Sequence, residues 1–190
     1  MLPTLTQPMT RRQVLAASLT FGAWVSVASA DEAVPEVTIV EFNDAGEKTG
    51  AVTVKKVRHT EAEWRNLLTL QQFYVTRKGS SDLAFYGSYF KLHDPGLYRC
   101  LCCGTAVFSS EAKFESKSGF ACFSAPLAEE NIRTNVDAAE LPKRVDVICK
   151  RCDAHLGYVY NDGPEPSHLR YSLSESALRF VPFKKSAGGA

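Results

Sequence analysis

A mainly β domain preceded by small helices is the fold class predicted for this 190-residue chain, and three observations predict it. Short runs of strand-like residues recur from residue 85 onward, separated by Gly, Pro, Asn and Asp turns. Two Thr-x-x-Glu/Gln boxes stand close together before them, at Thr60–Glu63 and Thr69–Gln72. Two Cys-x-x-Cys pairs punctuate the strand region, at Cys100/Cys103 and Cys149/Cys152. Composition sets the limits around this reading. With 45% hydrophobic and 23% charged residues, the chain holds enough apolar material for the core of one domain. A formal charge of +1 leaves no electrostatic footprint of a nucleic-acid binder and no polybasic membrane patch. The ordinary composition also excludes collagen-like, low-complexity and wholly disordered chains.

Residues 1–30 read as an address. Arg11 and Arg12 precede an apolar run from Leu15 to Val27, and Ala28-Ser29-Ala30 ends it. A twin arginine, a short apolar stretch and an A-x-A end make a Tat export signal, so a periplasmic or other extracytoplasmic location is expected. The alternative is an uncleaved N-terminal anchor, although the run is short for a membrane span. Cleavage after Ala30 takes two positive charges from the +1 total and leaves −1. It also removes both methionines, Met1 and Met9. The Tat route carries proteins that are already folded, so a metal-loaded thiol site can be assembled before export.

Residues 31–58 read as an N-terminal extension. Glu36 to Phe42 alternate as a strand, Asn43 to Gly50 supply turn residues, and Ala51 to Val57 form a second strand, giving a hairpin with a long loop. The Thr60 box opens a short helix through Trp64, Leu67 and Leu68, and the Thr69 box opens a second that ends near Lys78-Gly79. Strand-like runs follow at 97–101, 144–149, 156–160, 169–173 and 178–183. The main domain is expected over 59–183, with a disordered tail at 184–190. No internal repeat and no long linker divides it.

The cysteines carry the strongest chemical signal. Two Cys-x-x-Cys knuckles supply four thiolates at the spacing that tetrahedral zinc takes. Their 45 intervening residues are more than a zinc ribbon has, so the metal would clip together distant parts of a sheet. A closed four-cysteine site makes the zinc structural, with no open position for catalysis. Two disulfides are the alternative in an oxidising compartment. A redox Cys-x-x-Cys is a third reading, but it usually sits at a helix start near a βαβ pattern, which is absent here. Cys102 lies inside the first knuckle and could replace a neighbour, although the two-residue spacing favours Cys100 and Cys103. Cys122 is then also left over.

Residues 60–180 resemble the methionine-R-sulfoxide reductases of the B type, the SelR domain. The resemblance rests on Thr60 to Thr69, Gln72 to Arg77, Ala84-Phe-Tyr-Gly-Ser-Tyr89, and Pro95-Gly-Leu-Tyr-Arg-Cys100 through Phe108. It continues with Lys113-Phe-Glu-Ser116, Arg151-Cys-Asp-Ala-His-Leu-Gly157, Asn161-Asp-Gly-Pro164 and Leu169-Arg-Tyr171. The family likeness implies a barrel-like pair of antiparallel sheets, a structural zinc, and reduction of the R epimer of methionine sulfoxide in proteins. A cysteine thiolate attacks the sulfoxide sulfur, nearby acids protonate its oxygen, and a second thiol or a reductant resolves the sulfenic acid.

Several family positions differ here. The family's Leu-Arg-Tyr-Cys, which carries the nucleophile, reads Leu169-Arg170-Tyr171-Ser172. Its Gly-Trp-Pro-Ser-Phe, whose Trp walls the methyl pocket, reads Gly119-Phe120-Ala121-Cys122-Phe123. Its His-Leu-Gly-His reads His155-Leu156-Gly157-Tyr158, its usual Asn two residues beyond the nucleophile is Ser174, and Ser118 stands where some members place a resolving cysteine. A serine hydroxyl is a poor nucleophile at neutral pH and forms no sulfenic acid, so Ser172 alone cannot run the family reaction.

Cys122 is therefore a candidate displaced nucleophile, with Arg170 or His155 stabilising its thiolate and Tyr158 donating to the sulfoxide oxygen. Its alternative is a buried small hydrophobe, the common fate of a free cysteine. His155 has a structural alternative beside the knuckle, and Asp162 reads as a turn residue. Phe120, Phe123, Tyr171 and Ser174 are the expected pocket. Two functions compete: an exported, thiol-dependent reductase that repairs oxidised methionine, or a zinc-stabilised module that only binds methionine or methionine-sulfoxide segments of a partner. A monomer with no nucleic-acid partner is expected in either case.

Overall fold

The structure is a computed structural model that describes residues 33–137 and 144–184. The signal at 1–30 and residues 185–190 lie outside the described residues. Within them, eleven strands and two short α-helices follow in order. Strands β1 (Glu36–Phe42) and β2 (Lys48–Lys55) form a hairpin, with Val40 opposite Ala51. The second strand starts earlier than its apolar run, because Gly46 closes the turn with a left-handed φ of 85° and leaves Lys48 free to pair. Helices α1 (Glu61–Leu67) and α2 (Leu70–Lys78) open on the two expected capping boxes, each satisfied in both directions. Gly79 ends α2 in the left-handed region, where a side chain would be strained.

The remaining strands form two antiparallel sheets. A three-stranded sheet has β3 (Gly96–Cys100) between β11 (Leu178–Pro182) and β4 (Ala106–Ser109). The other strands are β5 (Lys113–Phe114), β6 (Ala121–Phe123), β7 (Ile132–Asp137), β8 (Arg144–Cys149), β9 (His155–Tyr160) and β10 (Arg170–Leu173). They form a six-stranded sheet in the order β5-β6-β10-β9-β8-β7. The fold is thus mainly β and antiparallel, as expected.

Strands β4, β5, β6 and β7 were not among the predicted runs. Three of them are two to four residues long, too short for alternation to show in sequence. The core lies where the two sheets face each other. Phe123 of β6 packs against Tyr98 of β3 at 4.9 Å and Phe108 of β4 at 4.8 Å, and Phe108 meets Tyr171 of β10 at 5.4 Å. Such tilted aromatic pairs add about 0.5–1.5 kcal/mol each beyond their buried area.

The N-terminal hairpin is tied to this body. Asn131 is 0% exposed, accepts the Val40 amide at 2.7 Å, and donates to the Val40 and Ala106 carbonyls at 2.8 and 2.7 Å. Beyond β2, the Val57 amide donates to the Arg151 carbonyl, and Lys56 pairs with Asp153 at 2.6 Å. Lys184 donates its amide to the Asp44 carbonyl and its ammonium lies 3.1 Å from the Asp44 carboxylate. Lys184, the first residue of the expected tail, is held to the hairpin turn by these two contacts. Among the described residues, no helix is long and apolar enough to cross a membrane.

Candidate active site and metal centre

Cys100, Cys103, Cys149 and Cys152 converge as the two knuckles suggested. Their sulfurs all lie within 4.8 Å of one another, with Cys100–Cys152 and Cys103–Cys149 each at 3.5 Å. A tetrahedron of ~2.3 Å zinc–sulfur bonds has edges of roughly 3.8 Å, so this donor set fits a four-coordinate metal ion. The tight knuckles bring the sulfurs inward: the Gly104 amide donates to the Cys100 carbonyl, and the Asp153 amide to the Cys149 carbonyl.

Crowding splits the titration of these thiols. Hydrogen bonds from Cys100, and then Cys149 and Cys152, hold Cys103 far down, while contacts with Cys102 and Cys103 push Cys100 well up. Cys102 stays outside the foursome, as its spacing implied. Arg77 of α2 fastens the helices here, donating to the Cys152 carbonyl at 2.8 Å while stacking 4.1 Å over Trp64.

The second site lies across the middle of the six-stranded sheet. Strand register pairs Ser172 of β10 with Cys122 of β6 on one side and with Tyr158 of β9 on the other. Directly opposed residues of antiparallel strands share a face and have Cβ atoms about 4.5–5.5 Å apart. Cys122, Ser172 and Tyr158 thus form one row, and Arg170 stands two residues along on that same face. Gly157 makes the row possible: with φ of 150°, any Cβ there would run into the Ser172 carbonyl oxygen.

Arg170 is held by a bidentate pair with Asp162, both contacts at 2.8 Å, and lies 4.4 Å over the Tyr160 ring. Hydrogen bonding to Asp162 raises its guanidinium pKa first, and contact with Cys122 adds to the rise. Asp162 is thus the anchor of the site's cation, a role the turn reading missed. An acid eight residues before the arginine, across a short connection between neighbouring strands, is the sequence signal that was available.

Cys122 itself is 0% exposed. Ser116, in the tight connection between β5 and β6, donates to its sulfur at 2.9 Å, and Ser118 Oγ lies 3.4 Å away. Nothing in the sequence patterns singled out Ser116. Outside it opens a cleft of about 210 Å³ lined by Phe85, Phe90, Ser116, Gly119 and Phe120, among others. Phe85 is 63% exposed and holds a φ of 65°, rare for an aromatic residue, with its amide donating to the Gly119 carbonyl.

The other expected site residues divide sharply. Phe120 lines the cleft. Phe123 and Tyr171 do not: strand alternation turns both to the opposite face, into the core between the sheets. Ser174 is also removed from the pocket, since its buried hydroxyl accepts the Asp82 amide at 3.2 Å and pins the loop after α2. Tyr158 lies in the row, but its hydroxyl donates to the Gly79 carbonyl at 3.2 Å. That proton is committed to the end of α2, which corrects the expectation of a donor to the sulfoxide oxygen. His155 is buried against Tyr158 at 5.0 Å, with Nε2 3.5 Å from Asp146. Burial lowers its pKa, and Asp146 opposes that shift.

Fold and site together define a β protein whose two facing sheets carry a cluster of four thiols able to hold a metal ion and a separate buried thiol beside a fixed guanidinium. The SelR domain family matches residues 68–182, and the chain belongs to that family. It is 43% identical over 126 residues to the peptide methionine sulfoxide reductase MsrB of Herminiimonas arsenicoxydans, covering 66% of this chain and 92% of the relative. The MsrB of Pseudomonas aeruginosa strain UCBPP-PA14 is 44% identical over 119 residues, 63% of this chain and 90% of its own. The mitochondrial methionine-R-sulfoxide reductase B2 of Rattus norvegicus is 37% identical over 143 residues, covering 72% and 82%.

Proposed function

We propose that this protein reduces the R epimer of methionine sulfoxide in peptides and proteins, with Cys122 as the nucleophile. The observation that carries this reading is an exchange across one register pair. The family pattern has Ser where this chain has Cys122, and Cys where it has Ser172. The strands set those two positions side by side on one face. The thiol has moved by one strand spacing and stays within reach of the same cation, Arg170. The names of the relatives support the reaction class.

In this mechanism the sulfoxide side chain enters the cleft beside Phe120, which replaces the family's Trp as an apolar wall. The Cys122 thiolate attacks the sulfoxide sulfur, and its oxygen takes up a proton. The sulfur–oxygen bond then breaks as oxygen passes to Cys122, leaving methionine and a sulfenic acid. One external thiol forms a mixed disulfide and releases water, and a second returns Cys122 to its starting state. Arg170 stabilises the anionic sulfur throughout. Ser172 keeps the polar neighbour in place but takes no oxygen.

Zinc is the metal proposed for the four cysteines, where it would fix the two knuckles and supply no catalytic position. Export through the Tat pathway, read from Arg11, Arg12 and the apolar run after them, would place the repair outside the cytoplasm.

Turnover of an R-sulfoxide peptide by the purified protein with dithiothreitol tests the proposal. Activity lost in Cys122→Ala and largely kept in Ser172→Ala is the expected result. Full activity in Cys122→Ala would end the relocated-nucleophile reading. The complete burial of Cys122 favours one second reading, a binding module. Sulfoxide-peptide binding without turnover in the unaltered protein would establish that instead.

A further inference from the structure

The β5–β6 connection carries a chain of donors whose direction can be worked out from proton counts. Ser116 Oγ is 2.9 Å from Cys122 Sγ and donates to it. The same oxygen lies 2.7 Å from Ser118 Oγ. A serine has one hydroxyl proton. With the Ser116 proton on sulfur, the Ser118 proton serves the contact between the two hydroxyls; Ser118 Oγ also lies 3.4 Å from the sulfur, and against a thiolate the other order, Ser116 to Ser118 to sulfur, ends on the same atom. The Ser118 amide also donates to Ser116 Oγ at 3.3 Å, and the Phe120 amide donates to Ser118 Oγ at 3.4 Å. Every dipole in the series therefore points toward the sulfur, from the Phe120 amide through Ser118 and Ser116.

From this geometry we infer that Ser116 and Ser118 form a positioning relay that holds Cys122 and stabilises its anionic states. The inference rests on the reading of Cys122 as the nucleophile and gives Ser116 and Ser118 a role that the family likeness did not assign them. Hydrogen bonds in series polarise one another, and a donor on an anion is roughly twice as strong as a neutral one. A neutral thiol would gain much less from the arrangement. The charged groups around the sulfur act from other elements: Arg170 from β10 with Asp162 behind it, and Lys113 from β5 with Glu115 beyond. The relay approaches from the cleft side and would lie between the sulfur and an incoming sulfoxide. Ser116 is thus also placed to pass its hydrogen bond from the sulfur to the sulfoxide oxygen as the oxygen transfers.

The test is the pH profile of thiolate absorbance near 240 nm in the full-length, metal-loaded protein. The part belonging to Cys122 is identified by its disappearance in Cys122→Ala. In Ser116→Ala that profile should move up by about one pH unit, the size expected for one lost charge-assisted bond. Ser118→Ala should move it by less, and Ser116→Thr, which keeps the hydroxyl, should restore it, with thermal midpoints unchanged. An unmoved profile in Ser116→Ala, or no rescue by Ser116→Thr, overturns the relay. The outcome is separable from turnover: a moved profile in a protein that reduces no sulfoxide would keep the relay and remove the nucleophile reading.

Discussion

The protein holds two kinds of thiol environment, and their difference lies in the neighbours. Cys100, Cys103, Cys149 and Cys152 are packed against one another, all four sulfurs within 4.8 Å, with the Thr105 hydroxyl 3.2 Å from Cys103 and Arg77 3.7 Å from Cys152 at the edge of the group. Four thiolates at that spacing repel one another unless a cation lies among them, which is the donor set of a closed, structural metal site. Around Cys122 the neighbours are two hydroxyls, a guanidinium and an ammonium. Those groups can stabilise one anion and leave its lone pairs free to react. The residue type is the same, and the company it keeps assigns the role.

The sharpest way to break this contrast is to remove one thiol from each environment. With zinc bound as proposed, Cys149→Ser, or a strong chelator on the unaltered protein, should abolish the cooperative thermal transition followed by near-UV circular dichroism, because the binding energy of a structural metal is folding energy. Cys122→Ala should leave that transition nearly in place while cutting kcat/KM by about a thousandfold or more in a dithiothreitol-driven sulfoxide assay. A similar thermal loss in both variants would erase the distinction.

The register pair offers a constructive test of smaller size. The double exchange Cys122→Ser with Ser172→Cys should return the family arrangement and keep activity within about tenfold of the unaltered protein. An inactive double variant with an intact fold would mean that Arg170 and the cleft serve only the displaced thiol.

Asn131 tests whether the hairpin belongs with the metal region. Asn131→Ala strands the Val40 amide and two carbonyls, so a loss of about 2–4 kcal/mol is expected in urea unfolding, with sulfoxide turnover unchanged at 25 °C.

The smallest expected effect concerns pH. Burial lowers the His155 pKa against the opposing pull of Asp146, so charging this imidazole is harder in the folded protein than in the unfolded chain. Below its ordinary value of about 6.5 the unfolded chain binds the extra proton, and stability should fall as pH drops through that range. His155→Gln should flatten that part of the stability profile, measured at constant metal occupancy. An identical slope in the variant would show that His155 does not contribute.

Legibility followed distance along the chain. The knuckles and both capping boxes were readable because each is set by residues three apart, within one turn of backbone. The core assignments of Phe123 and Tyr171 were misread because the family likeness supplied their neighbourhood and not their face. A shift of one residue in a strand reverses inside and outside. Ser116 and Asn131 were invisible since a lone polar residue in a turn carries no periodic signal. Tyr158 was expected as a donor to substrate, but register sets it opposite Ser172 with its hydroxyl committed to the Gly79 carbonyl, which no sequence pattern shows.

By itself the sequence determined the local devices: the capped helices, the four metal-ligand candidates, and the chemical fact that a serine at 172 cannot carry a sulfenic acid. Only the tertiary structure decided that Cys122 lies beside that serine, under a hydroxyl pair and near a clamped arginine. The physical reason is that hydrogen bonding within one turn depends on adjacent residues, whereas strand register depends on how whole sheets bury their apolar faces.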